Sequence, residues 1–342
     1  MRKTMMFSLA VILAALQLAA LEVPLLTPEQ EAFLKMSPAE RRERFTNEAY
    51  RAALAQNHWE RMKWREAAAG ESSRWRHLPG IPNMRDLGGL RGMDGKTVVC
   101  GKIFRSGGFN NNACKLYREE QVLKMHREGT LLTAVPPESL ETARIIQTAL
   151  DKGKRGSVDL KHLVKEWCAG SDRLNESGRE FQIRNFGIKT DLDLRTDREC
   201  YLMTGSPLGP QVRWVHNSSG CYGGFHDKDG KAATKRNFAL FLDEKNYPIG
   251  FHCIAGADRT GSLAYLLEAL LGVSEEDLVL DWELTAFHNP KRGFAHAARY
   301  DKLVAGFDKY PGANAREKAE GYVKSLGFTD EDITKFRRIM LK

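Results

Sequence analysis

Cys253 and Arg259 stand six positions apart in the stretch FHCIAGADRTGS, Phe251 to Ser262. A thiol does useful chemistry only as a thiolate, and positive potential is what pulls it toward that form. A guanidinium offers a planar fork of donors that matches two oxygens of a phosphate. Between the two lie Ile254, Ala255, Gly256, Ala257 and Asp258; His252 precedes the cysteine, and Thr260 and Gly261 follow the arginine. A short loop of this kind, running from a strand into a helix N-terminus, turns backbone N–H groups inward and forms a cradle for an anion. The position six beyond each of the other cysteines holds Ser106, Glu120, Leu174, Ser206 and Asp227, so only Cys253 has the arginine.

The elements needed to hold such a loop are readable around it. Strand character is expected over Thr97–Phe104, Ile188–Leu194, Val212–His216 and Ile249–Ile254, with a helix near Asn237–Leu242. Leu263, Leu266, Leu267, Leu270 and Leu271 mark a buried helix closed by Gly272. Two further helices are expected at Ala313–Leu326 and after the capping hydroxyl of Thr329. Alternation of this kind predicts an α/β domain with a mainly parallel central sheet flanked by helices. Upstream, Thr27-Pro28 and Ser37-Pro38-Ala39-Glu40 are helix starts, and Leu140, Ala143, Ile145, Ile146, Ala149 and Leu150 give a helix-like apolar face before Gly153.

The loop residues resemble the HCx5R signature of cysteine-dependent phosphatases. The wider pattern is similar to the bacterial protein-tyrosine and dual-specificity group with NxRDLGG and HCxAGxDRTG motifs. Here these read Asn83-Met84-Arg85-Asp86-Leu87-Gly88-Gly89 and His252 to Gly261, with Phe104-Arg105-Ser106-Gly107, Ile188 to Arg195 and Glu199 between them. The resemblance runs from about Leu78 to the C-terminus and implies a phosphatase-like fold. It implies Cys253 as nucleophile, Arg259 as phosphate clamp and Asp258 as general acid. His252, Ile254, Ala255, Gly256, Ala257, Thr260 and Gly261 would form the substrate cradle. Asp227 and Asp229 compete for the acid's role, although Asp227-Lys228-Asp229-Gly230 also reads as a plain turn. Arg85, Arg105 and Arg195 would reinforce the cradle or pair with Asp86, Asp193 or Glu199. No metal or cofactor is expected, because the arginine and amides supply the charge stabilisation.

The 342 residues carry 52 Lys and Arg against 44 Asp and Glu, a formal charge of +8. That excess suits anionic esters and forms no concentrated stripe of the kind nucleic acids require. Arg2 and Lys3 precede the apolar run Met5–Ala20, the order of a secretory signal peptide. The expected organisation is a signal peptide at 1–20, a helical N-terminal segment at 21–76 and a phosphatase domain at 77–342 with a helical insertion near 110–172. Export to the periplasm or beyond follows, with no stable membrane insertion of the mature chain. The six cysteines include no CxxC and match no disulfide framework.

The expected activity is hydrolysis of phosphomonoesters, first of all phosphotyrosine in proteins, through a phosphocysteine intermediate. The partners are then a phosphorylated protein or a small phosphoester. Inositol polyphosphates or phosphoinositides are the alternative substrates. Ala257 occupies the position where lipid-directed relatives often carry lysine, whereas Lys228, Lys231, Lys235 and Arg236 would suit a multiply phosphorylated ligand. A phosphoester-binding module without turnover is the remaining alternative.

Overall fold

Strand Ile249–His252 is the hub of the site-bearing unit, and its short apolar run is buried at every position. The computed structural model describes residues 28–55, 83–109, 119–135, 140–152, 186–197, 199–200, 205–287 and 292–342. The chain forms two compact units. One comprises Leu78–Pro82 with Ile103–Leu263, and the other Met1–His77, Asn83–Lys102 and Ala264–Lys342.

In the first unit four strands lie parallel: β1 (Ile103–Ser106), β2 (Thr190–Asp193), β3 (Arg213–His216) and β4 (Ile249–His252). Their order is β1-β4-β2-β3, which puts β4 between β1 and β2. The register is in step, since His252 lies opposite Ser106 on one side and Asp193 on the other. All four strands therefore end together, and their C-terminal edge is where an open parallel sheet places its ligands. Strands covered on both faces read as continuous buried runs, which β1, β2 and β4 do.

Helices Lys228–Phe241 and Asp258–Leu270 flank β4 in sequence. The first is longer than the expected Asn237–Leu242, because Asp227 caps it and the polar turn that looked like a loop is its first turn. The second starts inside the anion loop and is buried nearly all round. Helices Glu119–Arg127 and Leu140–Asp151 share a small core of Val122, Leu131, Val135, Ala143 and Ile146. The remainder of the expected insertion, and the signal region at 1–20, lie outside the described residues.

In the other unit, helices Pro28–Lys35, Pro38–Arg44 and Glu48–Ala55 bury Phe33, Phe45 and Leu54 against Leu284, Ala286 and Phe287. Ser37 and Glu40 form the reciprocal capping pair that their spacing predicts. Helices Ala315–Ser325 and Asp330–Met340 are present, the latter capped by Thr329 and Asp332. Two helices not anticipated from sequence, Glu275–Glu283 and Arg292–Ala305, precede them. The expected strand over Thr97–Phe104 is mostly not strand. Val98 makes one isolated bridge to Leu341, and regular pairing begins only at Ile103. Among the described residues no helix is long and apolar enough to cross a membrane.

Candidate active site

The loop from His252 to Thr260 leaves the end of β4 and enters helix Asp258–Leu270. Its tight course needs glycine at one point: Gly256 has φ +67°, and a Cβ there would lie 2.5 Å from the Ser106 backbone carbon. This close approach is to the strand beside it. Arg105 then fixes the turn by donating from Nη2 to the Gly256 carbonyl at 2.9 Å. The Gly108 amide donates to the Ile254 carbonyl at 3.0 Å. The loop is thus tied to the β1 end at two points.

Cys253 is buried, with a free thiol. Burial by itself pushes a thiol upward. The Arg259 charge, the hydroxyl and amide of Thr260 and the amide of Gly256 more than offset it and hold Cys253 below its ordinary value. The Thr260 hydroxyl is fully buried and serves that sulfur. Cys200 shows the opposite environment: burial dominates, its thiol is pushed up, and it hydrogen-bonds Asp193 at 3.2 Å. One thiol is prepared for ionisation and the other is held protonated.

Arg259 is held by Glu199 in a two-point ion pair, Nη1 to Oε2 at 2.5 Å and Nη2 to Oε1 at 2.9 Å. Burial opposes the charge on each partner. The hydrogen bonds between them outweigh it, raising Arg259 and lowering Glu199 to about 2. Two of the five guanidinium N–H groups are used in this clamp, which leaves three for an anion. Glu199 in turn accepts from the Thr196 amide at 2.7 Å and hydroxyl at 2.8 Å.

Beneath the loop lies a charged cluster with almost no exposure. His252, Asp191 and Asp193 are fully buried, and Arg195 is nearly so. His252 Nε2 lies 2.9 Å from Asp191 and its Nδ1 lies 3.8 Å from Asp193, while Nδ1 also faces the Cys253 carbonyl at 3.3 Å. Arg195 grips Asp193 through Nε at 2.8 Å and Nη2 at 2.6 Å. Burial would lower His252, but Asp193 and Asp191 together raise it. Two buried carboxylates against one arginine leave a charge to neutralise, and both carboxylates favour the charged form of His252.

The rivals for the acid's role sit differently. Asp227 accepts from the Gly230 amide at 2.7 Å and caps helix Lys228–Phe241. Asp229 is exposed in the first turn of that helix. Asp258 is half-buried in the anion loop, and the Tyr222 hydroxyl donates to its Oδ1. Ile254 and Ala255 are also half-buried there, whereas Ala257, Thr260 and Gly261 are buried. Arg195 pairs with Asp193, but Arg85 belongs to the other unit and pairs with Asp281 at 2.8 Å rather than with Asp86. Asp86 instead accepts from the amides of Gly88 and Gly101, each at 2.7 Å.

Residues 76–119 and 168–342 match the model of the tyrosine phosphatase family, more than half of the chain. The chain belongs to the tyrosine phosphatase family. It is a phosphatase, an enzyme acting on phosphorylated substrates. A tyrosine-protein phosphatase of Nostoc commune is 24% identical over 213 residues, covering 48% of this chain and 70% of that protein. The core catalytic domain of the PP-IP phosphatase SIW14 from S. cerevisiae, solved with citrate, is 16% identical with a TM-score of 0.24. It covers 38% of this chain and 85% of that one. Both matched segments of the family model contain parts of the site: the first holds Arg105, and the second holds Glu199, Tyr222 and the whole anion loop.

The sequence offers Glu199 only as a partner for Arg85, Arg105 or Arg195 and does not single out Tyr222. The signal for Glu199 was present in Thr196 and Glu199, a hydroxyl and carboxylate three apart that tie themselves together. Nothing local identifies Tyr222, whose partner lies 36 positions away.

Proposed function

We propose that this phosphatase hydrolyses phosphotyrosine in proteins through a phosphocysteine intermediate and works outside the cytoplasm. The observation that carries the reading is the environment of Cys253: a buried thiol held below its ordinary value by Arg259, Thr260 and the amide of Gly256. In the first step the Cys253 sulfur attacks phosphorus in line, and the bond to the leaving oxygen breaks. Arg259 and the loop amides hold the equatorial oxygens, and Asp258 gives its proton to the departing phenoxide. In the second step Asp258 takes a proton from water, the resulting oxygen attacks phosphorus, and the thiolate of Cys253 leaves with its electron pair.

The engagement of Asp227 in capping supports Asp258 as the acid. Membership in the tyrosine phosphatase family and the likeness to a tyrosine-protein phosphatase support phosphotyrosine as the ester. Export rests on the order of Arg2, Lys3 and the apolar run Met5–Ala20.

Cys253→Ser is expected to abolish turnover of an aryl phosphate, and rapid quenching of the unaltered enzyme is expected to trap phosphate on sulfur. Undiminished turnover in the variant defeats the mechanism. A panel of phosphotyrosine peptides, phosphoinositides and inositol polyphosphates tests the substrate, with the peptides expected to show the highest kcat/KM. N-terminal sequencing of protein recovered from the exported fraction is expected to begin just after Ala20.

A further inference from the structure

Tyr222 adopts φ +52°, a left-handed conformation that a non-glycine residue keeps only where its surroundings over-determine it. It opens the short turn Tyr222–Phe225 that follows β3. The turn is packed closely on itself: a Cβ at Gly220 would lie 2.3 Å from the Gly224 carbonyl oxygen, and one at Gly230 would lie 2.0 Å from the same oxygen. Asp227 then locks the chain into helix Lys228–Phe241. The Tyr222 amide donates to Ser262 Oγ at 3.2 Å, and that hydroxyl donates to the Asp258 carbonyl at 3.0 Å. Tyr222 is therefore joined to the residue pair Asp258 and Ser262 through its backbone as well as its side chain. The phenol donates to Asp258 Oδ1.

We propose that Tyr222 is a positioning residue for proton transfer in this phosphatase, its hydroxyl fixing the Asp258 carboxyl so that Oδ2 faces the leaving group. The inference rests on the reading of Asp258 as general acid. An oxygen that accepts the phenolic proton does not carry the acidic one, so the proton for the leaving group sits on Oδ2. The same donor keeps the carboxylate oriented after the proton has gone, when Oδ2 must take a proton from water. Proton transfer of this kind depends on heavy-atom geometry before anything else. The phenol's hydrogen bond restrains the rotamer of the Asp258 carboxyl at the start of the helix. The left-handed backbone at Tyr222 accompanies that contact.

A positioning role has a signature that a merely structural one lacks. Esters whose leaving group departs readily as an anion need little protonation, whereas poor leaving groups need the acid. kcat/KM is measured for 4-nitrophenyl, phenyl and alkyl phosphates with the full chain, with Tyr222→Phe, with Asp258→Asn and with the double variant. Tyr222→Phe is expected to leave the nitrophenyl ester almost unchanged and to lower the phenyl and alkyl esters by roughly tenfold, the scale of one hydrogen bond to a charged group. Asp258→Asn is expected to show the same trend more steeply, and Tyr222→Phe is expected to add nothing on that background. A loss in Tyr222→Phe that is equal for all esters, or no loss, overturns the proposal while leaving Asp258 as the acid. A flat response in Asp258→Asn removes the acid assignment and the proposal with it.

Discussion

The buried charge cluster beneath the anion loop makes a prediction whose size follows from counting. Asp191 and Asp193 are both fully buried; Arg195 pairs with Asp193, and the two carboxylates raise His252 and so favour its charged form. Asp193 accepts from the Arg195 amide at 3.1 Å, from Arg195 Nε at 2.8 Å and Nη2 at 2.6 Å, and from Trp214 Nε1 at 3.4 Å. Asp193→Asn keeps the shape but strands the guanidinium, which stays charged in the interior. Breaking one partner of a buried pair costs about 3–5 kcal/mol. For a chain of this size that is a fall in Tm on the order of 10 °C. Replacing both members, Asp193→Asn with Arg195→Met, is expected to recover part of the loss, because no charge is then left uncompensated. A second readout comes from His252, whose folded value lies above its unfolded one. Its protonated form stabilises fully below about pH 6.5, and that contribution is lost as pH rises through the folded value. Asp193 is the largest cause of the elevation, so the decline in stability above pH 6.5 is expected to flatten in Asp193→Asn. Denaturant unfolding across pH 5–9 measures both effects. A loss under about 1 kcal/mol, or a double variant no better than the single one, refutes the reasoning.

Further variants test the braces of the loop. Glu199→Gln removes the charge that holds Arg259 and is expected to lower kcat/KM for aryl phosphates by roughly tenfold or more, with Cys253 still able to be phosphorylated; unchanged kinetics would show that Arg259 is placed without Glu199. Because Glu199 is lowered to about 2, its share of stability is complete above its unfolded value of 4.5 and is lost as pH falls toward 2. That acid-side loss is expected to vanish in the variant. Asp227→Ala is expected to cost about 1 kcal/mol of stability through the lost cap while retaining turnover of poor leaving groups. A collapse of that turnover would return Asp227 to the acid's role.

What the sequence discloses and what it conceals divide along chain separation. The strands β2, β3 and β4 and the helix after the loop were legible because each is a contiguous run with a clear period. The anion loop was legible for the same reason, since Cys253, Asp258 and Arg259 belong to one short segment. The partners of that loop come from afar: Glu199 is 60 positions from Arg259, and Arg105 is 151 positions from Gly256. No local pattern announces such pairs. Helix Glu275–Glu283 was missed although Ser274 caps it and three acids fill its first turn. Its buried side carries Asp281 and Glu283, which interrupt the apolar period, and the ion pairs with Arg85 and Arg41 that make their burial tolerable lie in distant segments. Polar residues Lys228 to Lys231 concealed the start of helix Lys228–Phe241 in the same way, because a capping Asp227 followed by Gly230 also reads as a turn.

The parallel sheet explains why the braces converge on one loop. Since β1, β4, β2 and β3 end in step, the chain leaving each of the other three strands emerges at the same edge as Cys253. Each of those strands, or the segment after it, supplies a hold. From β1, Arg105 and the Gly108 amide fix the carbonyls of Gly256 and Ile254. From the segment after β2, Glu199 fixes Arg259. From the turn after β3, Tyr222 fixes Asp258. Backbone, anion clamp and proton carrier are thus each held from a different strand of the sheet or the segment after it. Preorganisation of this kind matters because a cradle of amides stabilises developing charge only if it need not rearrange when the charge appears. It also predicts how damage should spread: loss of one brace impairs one function of the loop, with Glu199 variants weakening phosphate binding across all esters and Tyr222 variants weakening only those that need a proton.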